Sequence, residues 1–356
     1  MNTATLTFTR FIAAMMVVIF HSGKDVFPFN LSGVHYFFTH GELSVSYFFF
    51  LSGFVMVIAY YDKIKEKKFT TWEYWKNRFS RIYPLYLLSL LLFVLLSVLL
   101  WDSSIILKEI ILSVLLIQAW DDSTAMILNF PSWSLSVEFF FYFTFPLFIH
   151  KIASLGKNKL ISLAFLFWCI TQLISVYLIV YAKPISYFPL LHFNTFLGGA
   201  IFGLLLKREL INHAWMQKYA PVFLVVSVVL IIAVLAYPNP IIKYTNSGLL
   251  APLFAIFIGG LIFINNSITR LFNSTLFTKA GDISYGIYIL QYPCVLIARY
   301  TSDKLGFGIE KESVWEFYFY LFILLFTAAS TYYFFEMPFK KYLRLKSIFY
   351  PDKDLP

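Results

Sequence analysis

Residues 10 to 21, RFIAAMMVVIFH, set an arginine and a histidine at the two ends of ten apolar residues. On an α-helix that separation is about three turns and a rise of roughly 16 Å, so Arg10 and His21 share a face at different depths. Ionisable groups inside an apolar helix are costly and mark a pathway or a site. The bland alternatives are an arginine that snorkels to headgroups and a helix-end histidine that meets water. Glu138 is a further costly group, about one and a half turns into the aromatic helix of PSWSLSVEFFFYFTFP, which opens with Pro131, Ser132, Trp133 and Ser134. Its partner is either an imidazole, which it would orient for general-base work, or nearby serine and tyrosine hydroxyls.

In NRFSRIYPLY, Arg78 and Arg81 stand one helical turn apart. Such a pair either anchors the chain at a membrane edge or clamps phosphates with two forked guanidinium groups. FFFLSGF, GDISYGIYILQYP and FFEMP add Ser52, Gly53, Asp282, Ser284, Tyr285, Gln291 and Glu336. Small residues and hydroxyls of this kind pack and bridge helices, so Ser132, Trp133, Ser134, Tyr285, Gln291 and Glu336 are candidates for a supporting rather than a reacting role. No G-x-S-x-G elbow, H-E-x-x-H or P-loop occurs. Cys169 and Cys294 fall in apolar segments, and His35, His40, His150, His192 and His213 have no ligand spacing, so no metal site is expected.

The elements that must position these groups are membrane spans. The chain has 356 residues, 60% hydrophobic, 21% aromatic and 13% charged, a composition foreign to water-soluble domains. Its net charge of +9 comes from short basic loops that act as topology signals, which argues against nucleic-acid binding. Ten spans are expected, at Thr5 to His21, Leu43 to Tyr61, Ile82 to Leu100, Trp133 to Ile149, Leu160 to Tyr181, Phe188 to Leu206, Val222 to Tyr237, Leu249 to Ile264, Ile283 to Arg299 and Val314 to Phe335. Arg10 interrupts the first apolar run and no cleavage site follows, so that run is expected to stay as a span.

The loop DKIKEKKFTTWEYWKNRFSR, with seven Lys or Arg, fixes the cytoplasmic side. If residues 105 to 120 crossed the membrane, HKIASLGKNK, KREL and the tail KKYLRLK would lie outside; if they do not, all three lie inside. The expectation is therefore an all-α bundle of about ten transmembrane helices, both termini cytoplasmic, with 105–120 re-entrant or surface-lying where protein covers its backbone. One domain, 1–340, precedes a short basic tail, 341–356. This topology puts His21 and Glu138 at similar depth toward the outer side, as a predicted histidine–carboxylate pair.

Taken in order, RFIAAMMVVIFH, FFFLSGFVM, RFSRIYPLY, SWSLSVEFFFYFTFP, GDISYGIYILQYP and FFEMPFKKYL resemble the membrane-bound acyltransferase-3 family, over nearly the whole chain. The resemblance implies a ten-helix enzyme of the bacterial cytoplasmic (inner) membrane. It would move an acyl group, usually acetyl, from acyl-coenzyme A to a hydroxyl of a cell-surface or lipid-linked glycan such as a lipopolysaccharide or exopolysaccharide, with no permanently bound cofactor. It further implies that His21 is catalytic and that Arg78 and Arg81 take part in activity; on that footing the expectation is that Arg78 and Arg81, with Arg10, hold the coenzyme A phosphates and that Glu138 orients His21. Many relatives have histidine where Gln291 stands, so a second histidine role does not carry over. Many larger relatives add an esterase-like domain after the last span, which is not expected here. Oligomeric state is open, a homo-oligomer included. The rival reading is a transporter or flippase for a lipid-linked sugar or small hydrophobe, since buried Arg, His and Glu also build proton relays; a third is a scaffold in a polysaccharide assembly complex.

Overall fold

The computed structural model of the chain describes residues 5–101, 105–181, 186–237, 247–264, 267–306, 313–339 and 341–342, so the expected tail lies almost entirely outside the described residues. All regular structure among them is helical. In chain order the principal helices are α1 (Thr5–Ser22), α2 (Ser44–Lys65), α3 (Thr71–Trp101), α4 (Leu107–Val114), α5 (Trp133–Ala153), α6 (Lys157–Tyr181), α7 (Pro189–Lys207), α8 (His213–Ala236), α9 (Ala251–Phe263), α10 (Thr275–Asp282), α11 (Ser284–Ile289), α12 (Gln291–Lys304) and α13 (Val314–Thr331). The last continues through a π-helical turn, Tyr332–Glu336.

Eight of these stretches, α1, α2, α3, α5, α6, α7, α8 and α13 with their flanks, are long and apolar enough to cross a membrane. The protein is a multi-pass membrane protein. Two of the ten expected spans take another form. The stretch expected over Leu249 to Ile264 yields a helix of 13 residues, about 20 Å against a core of about 30 Å, because its first residues form a turn and Ile264 is already extended. The stretch expected over Ile283 to Arg299 is two helices, α11 and α12, broken at Leu290.

The break has a local cause. Pro293 has no N–H to give to the carbonyl four residues back, that of Ile289. In an apolar interior a freed carbonyl must find another donor, and Ile289 O accepts from Ser89 Oγ at 2.7 Å and from Asn129 Nδ2 at 3.0 Å. Asn129 Nδ2 also donates to Ser89 Oγ at 2.7 Å. Both donors are fully buried, and with them α3 and the segment before α5 are locked to the α11/α12 break.

Residues 105–120 do not form a crossing helix: α4 has 8 residues, about 12 Å. Its end is satisfied by the bundle. Tyr86 OH donates to Ser113 O at 2.6 Å, Tyr83 OH to Val114 O at 2.8 Å and Ser136 Oγ to Leu116 O at 2.6 Å.

Glycine makes the tightest crossing. A Cβ on Gly53 of α2 would lie 2.0 Å from Phe196 O, and one on Gly199 of α7 would lie 2.0 Å from Phe50 O, so the two backbones touch only because both positions lack a side chain. Gly53→Ala is expected to cost about 1–3 kcal/mol through forced separation of α2 and α7, read as a lower unfolding midpoint in detergent. Gly33→Ala, with nothing within 4 Å of its Cβ position, should leave the midpoint unchanged.

Candidate active site

Two cavities divide the sequence-predicted residues. One end of the bundle is basic: there α2 finishes in Lys63 and Lys65 and α3 begins. The larger cavity, about 460 Å³, reaches upward from that end between α1, α2, α3, α5, the α10–α11 junction and the π-helical turn. Arg10, Arg81, Glu138, Tyr285 and Glu336 all line it. The neighbouring groups are fixed. Tyr285 OH donates to Ile82 O at 2.7 Å, and Glu138 accepts from Ser52 Oγ at 3.1 Å and from Tyr142 OH. Gly281 lets α10 press on α1, since a Cβ there would lie 2.1 Å from Thr7 O, and this contact sets the height of Arg10. Among the described residues neither Arg10 nor Arg81 makes a hydrogen bond or an ion pair. Two guanidinium groups facing a cavity in that state are able to take an anionic ligand.

Arg78 does not join them. The expected clamp of Arg78 and Arg81 is not formed, because Arg78 turns away from the cavity: Nη2 donates to Tyr60 OH at 3.0 Å and the guanidinium lies 5.2 Å from the Tyr60 ring centre. Its Nε and Nη1 are buried without hydrogen bonds. The partner of Arg81 across the cavity is Arg10.

The expected pairing of His21 with Glu138 is also not formed. His21 lines a second cavity, of about 200 Å³, at the opposite end of the bundle, while the hydrogen bonds of Glu138 go to Ser52 and Tyr142. Similar depth is not contact, and the α11/α12 break stands between the two. Its first residue after the break, Gln291, is the true partner: Gln291 Oε1 lies 2.9 Å from His21 Nδ1, and Gln291 Nε2 donates to Tyr288 O at 2.8 Å. Because the amide nitrogen is committed to a carbonyl, the amide oxygen faces the ring. His21 must then carry its proton on Nδ1 and present Nε2 as a lone pair. Nε2 has no hydrogen bond among the described residues, and Phe130 packs edge-on to the ring at 4.5 Å. An imidazole held in one tautomer with a free basic nitrogen is the equipment of a general base.

A hydrogen-bonded group closes the larger cavity on the side of α11 and α5. Tyr288 and Ser134 line it from above, and Tyr288 OH lies 2.8 Å from Ser134 Oγ and donates to Pro131 O at 3.2 Å. Phe130 and Gln291, the neighbours of His21, stand within a helical turn of Ser134 and Tyr288 in sequence and line neither cavity. Ser132 and Trp133 line neither cavity. Ser132 is buried and accepts from Gln118 Nε2 at 3.1 Å, and Trp133 packs on Tyr187 and His192 at ring distances of 5.0 and 5.4 Å. Sequence reasoning missed Tyr142, although it stands four residues after Glu138 and so on the same face; nothing short of three-dimensional placement points to Tyr288 or Tyr332.

A family model described as an acyltransferase domain, that of acyltransferase-3, matches residues 4–334. The chain belongs to this family. An acyltransferase, MdmB, of Streptomyces mycarofaciens is 32% identical over 174 residues, 46% of this chain and 42% of its own length. Protein 2 in picA locus of Rhizobium radiobacter is 50% identical over 50 residues, 14% of this chain and 26% of its own length. The chain thus matches less than half the length of either curated relative. No solved structure matches it. The matched residues take in the lining of both cavities except Glu336.

The tautomer is open to measurement. In protein labelled with ¹⁵N-histidine, His21 should show a protonated Nδ1 and an unprotonated Nε2, and Gln291→Leu should convert this to a mixture of tautomers.

Proposed function

We propose that the protein is a membrane O-acyltransferase that takes an acyl group, acetyl in our reading, from acyl-coenzyme A and esterifies a hydroxyl of a cell-surface or lipid-linked glycan. Its membrane is the bacterial cytoplasmic membrane and its basic end faces the cytoplasm, in keeping with the positive-inside bias. The observation that carries the reading is a base and an anion-ready cavity on one helix: His21 with a free Nε2 near one end of α1, and Arg10 about 16 Å below it facing Arg81 across the larger cavity.

Arg10 and Arg81 hold the donor's phosphates, and the pantetheine arm extends up the cavity so that the thioester arrives at the Tyr288–Ser134 pair. The acceptor hydroxyl approaches from the opposite cavity and loses its proton to His21 Nε2. The resulting alkoxide oxygen bonds to the thioester carbon, the carbon–sulfur bond breaks, and coenzyme A leaves as thiolate, to be reprotonated. Holding the two reacting groups together beside Tyr288 and Ser134 supplies the entropic share of the rate. Glu138 has a different part from the one its sequence position implied. With Asp282 and Glu336 it lines the donor cavity and offsets the mutual repulsion of Arg10 and Arg81, leaving them free of direct ion pairs.

Those three carboxylates, together with the broken helix, favour one rival: discontinuous helices and intramembrane carboxylates also occur in transporters. Incubation of proteoliposomes with radiolabelled acetyl-coenzyme A and extracted surface glycan separates the two, since only the enzyme moves label into ester.

His21→Ala should lower that transfer about 10²–10⁴-fold, the usual worth of a positioned base, and wild-type transfer by this variant would refute the mechanism. Arg81→Ala should raise the KM for acyl-coenzyme A about 10–100-fold, the loss of one charge-assisted contact of about 1.5–3 kcal/mol. Arg78→Ala should instead show its main effect as a lower unfolding midpoint.

A further inference from the structure

The larger cavity changes character along its length. On α2 it is lined from Ala59, near the basic end, to Val45 in the first turn, a rise of about 21 Å. At the far end its lining is Val45, Phe48 and Phe49 from the first two turns of α2, Leu135 from the first turn of α5, and the Tyr288–Ser134 pair. The two hydroxyls there are already spent on each other and on Pro131 O, which lies 3.2 Å from Tyr288 OH and 3.1 Å from Ser134 Oγ. What this end offers a ligand is hydrocarbon. Its walls are also held in place. Phe49 is boxed by the rings of Phe141, His192 and Trp133 at 5.2, 5.2 and 6.1 Å. Tyr288 is tied at its hydroxyl and, through the amide of Gln291, at its carbonyl. Phe48 stands edge-on to Tyr288 at 5.9 Å and, half-buried, packs against three separate buried apolar clusters, those that contain Phe141, Leu290 and Phe254. A space bounded by close-packed side chains does not widen by a methylene without cost.

We infer that Phe48, backed by Val45, Phe49 and Leu135, is the stop that limits the length of the acyl chain the protein accepts from its donor, so that short acyl groups fit and longer straight chains are refused. The thioester at Tyr288 and Ser134 points its hydrocarbon end at this ring, and each further methylene has to displace packed side chains. A pocket wall of this kind discriminates a single methylene by about 10–200-fold. Phe48 is a specificity-determining residue and takes no part in moving protons or electrons. The inference rests on the acyl-transfer reading above and goes further by naming the feature of the donor that is selected and the residue that selects it.

The test is donor binding by the full chain in proteoliposomes, which needs no acceptor. Labelled acetyl-coenzyme A is displaced with unlabelled acetyl-, butyryl- and hexanoyl-coenzyme A. Wild-type protein should need at least about tenfold more butyryl- than acetyl-coenzyme A, and more again of the hexanoyl thioester. Phe48→Ala should bring the butyryl-to-acetyl ratio toward unity and Phe48→Leu part of the way, whereas Val45→Leu, which adds bulk at the same end, should widen it. Arg81→Ala is the control: it should weaken acetyl- and butyryl-coenzyme A alike and leave their ratio unchanged, as would any loss of general binding. Equal displacement by the three thioesters in the wild type overturns the inference, and so does a ratio that the folded Phe48 variants fail to narrow; if neither of these folds, a ratio that Val45→Leu fails to widen overturns it. Each of these results leaves the donor reading standing. Failure of the wild-type protein to bind acetyl-coenzyme A at all overturns the reading on which the inference rests.

Discussion

One missing hydrogen bond organises the centre of this protein. Pro293 cannot donate to Ile289 O, and in a medium without water that carbonyl must be answered from elsewhere. Ser89 and Asn129 answer it, which ties α3 and the segment before α5 to the break. Once the helix is broken, Tyr288 O is within reach of the side chain of Gln291, and the Gln291 oxygen is left to hold His21 Nδ1. Gln291, whose oxygen lies 2.9 Å from His21 Nδ1, stands two residues before that proline, at the start of α12.

The same break divides the polar interior by charge. On the basic side, Arg10 and Arg81 are free of ion pairs among the described residues, in a cavity that also holds Glu138, Asp282 and Glu336; on the other, Arg299 is paired with Glu316, near Lys24 and Asp25. A cavity with unpaired guanidinium groups suits an anionic ligand, whereas one whose arginine is already paired with a carboxylate does not.

Much of this was legible from the chain. Residue type and spacing marked Arg10 and His21 as one face of one helix, and the charge pattern of the loops separated residues 105–120 from the true spans, where α4 proves too short to cross. What hydropathy does not carry is hydrogen-bond continuity. A window over Ile283 to Arg299 counts apolar residues and is blind to the amide that Pro293 lacks, so a broken helix reads as a span. Pairing failed for a related reason. Depth along a span follows from counting, but azimuth does not: Glu138 and His21 were placed at similar height and face different cavities, and Arg78 and Arg81, three residues apart, diverge because Tyr60 offers Arg78 both a ring and a hydroxyl.

The placement of Arg78 shows how a motif residue acquires a role that its chemistry alone does not suggest. Its guanidinium is buried on α2 through Tyr60, a single turn from the α3 residue that faces the larger cavity. Burying a charge is costly unless it is met, and here it is met by an aromatic face and one hydroxyl, with two nitrogens left over. The cost is tolerable where it fixes something else. What it fixes is the register of α3 against α2, and with that the direction in which Arg81 points. An arginine pair one turn apart therefore divides its labour: Arg78 clamps α3 to α2, and Arg81 faces the larger cavity.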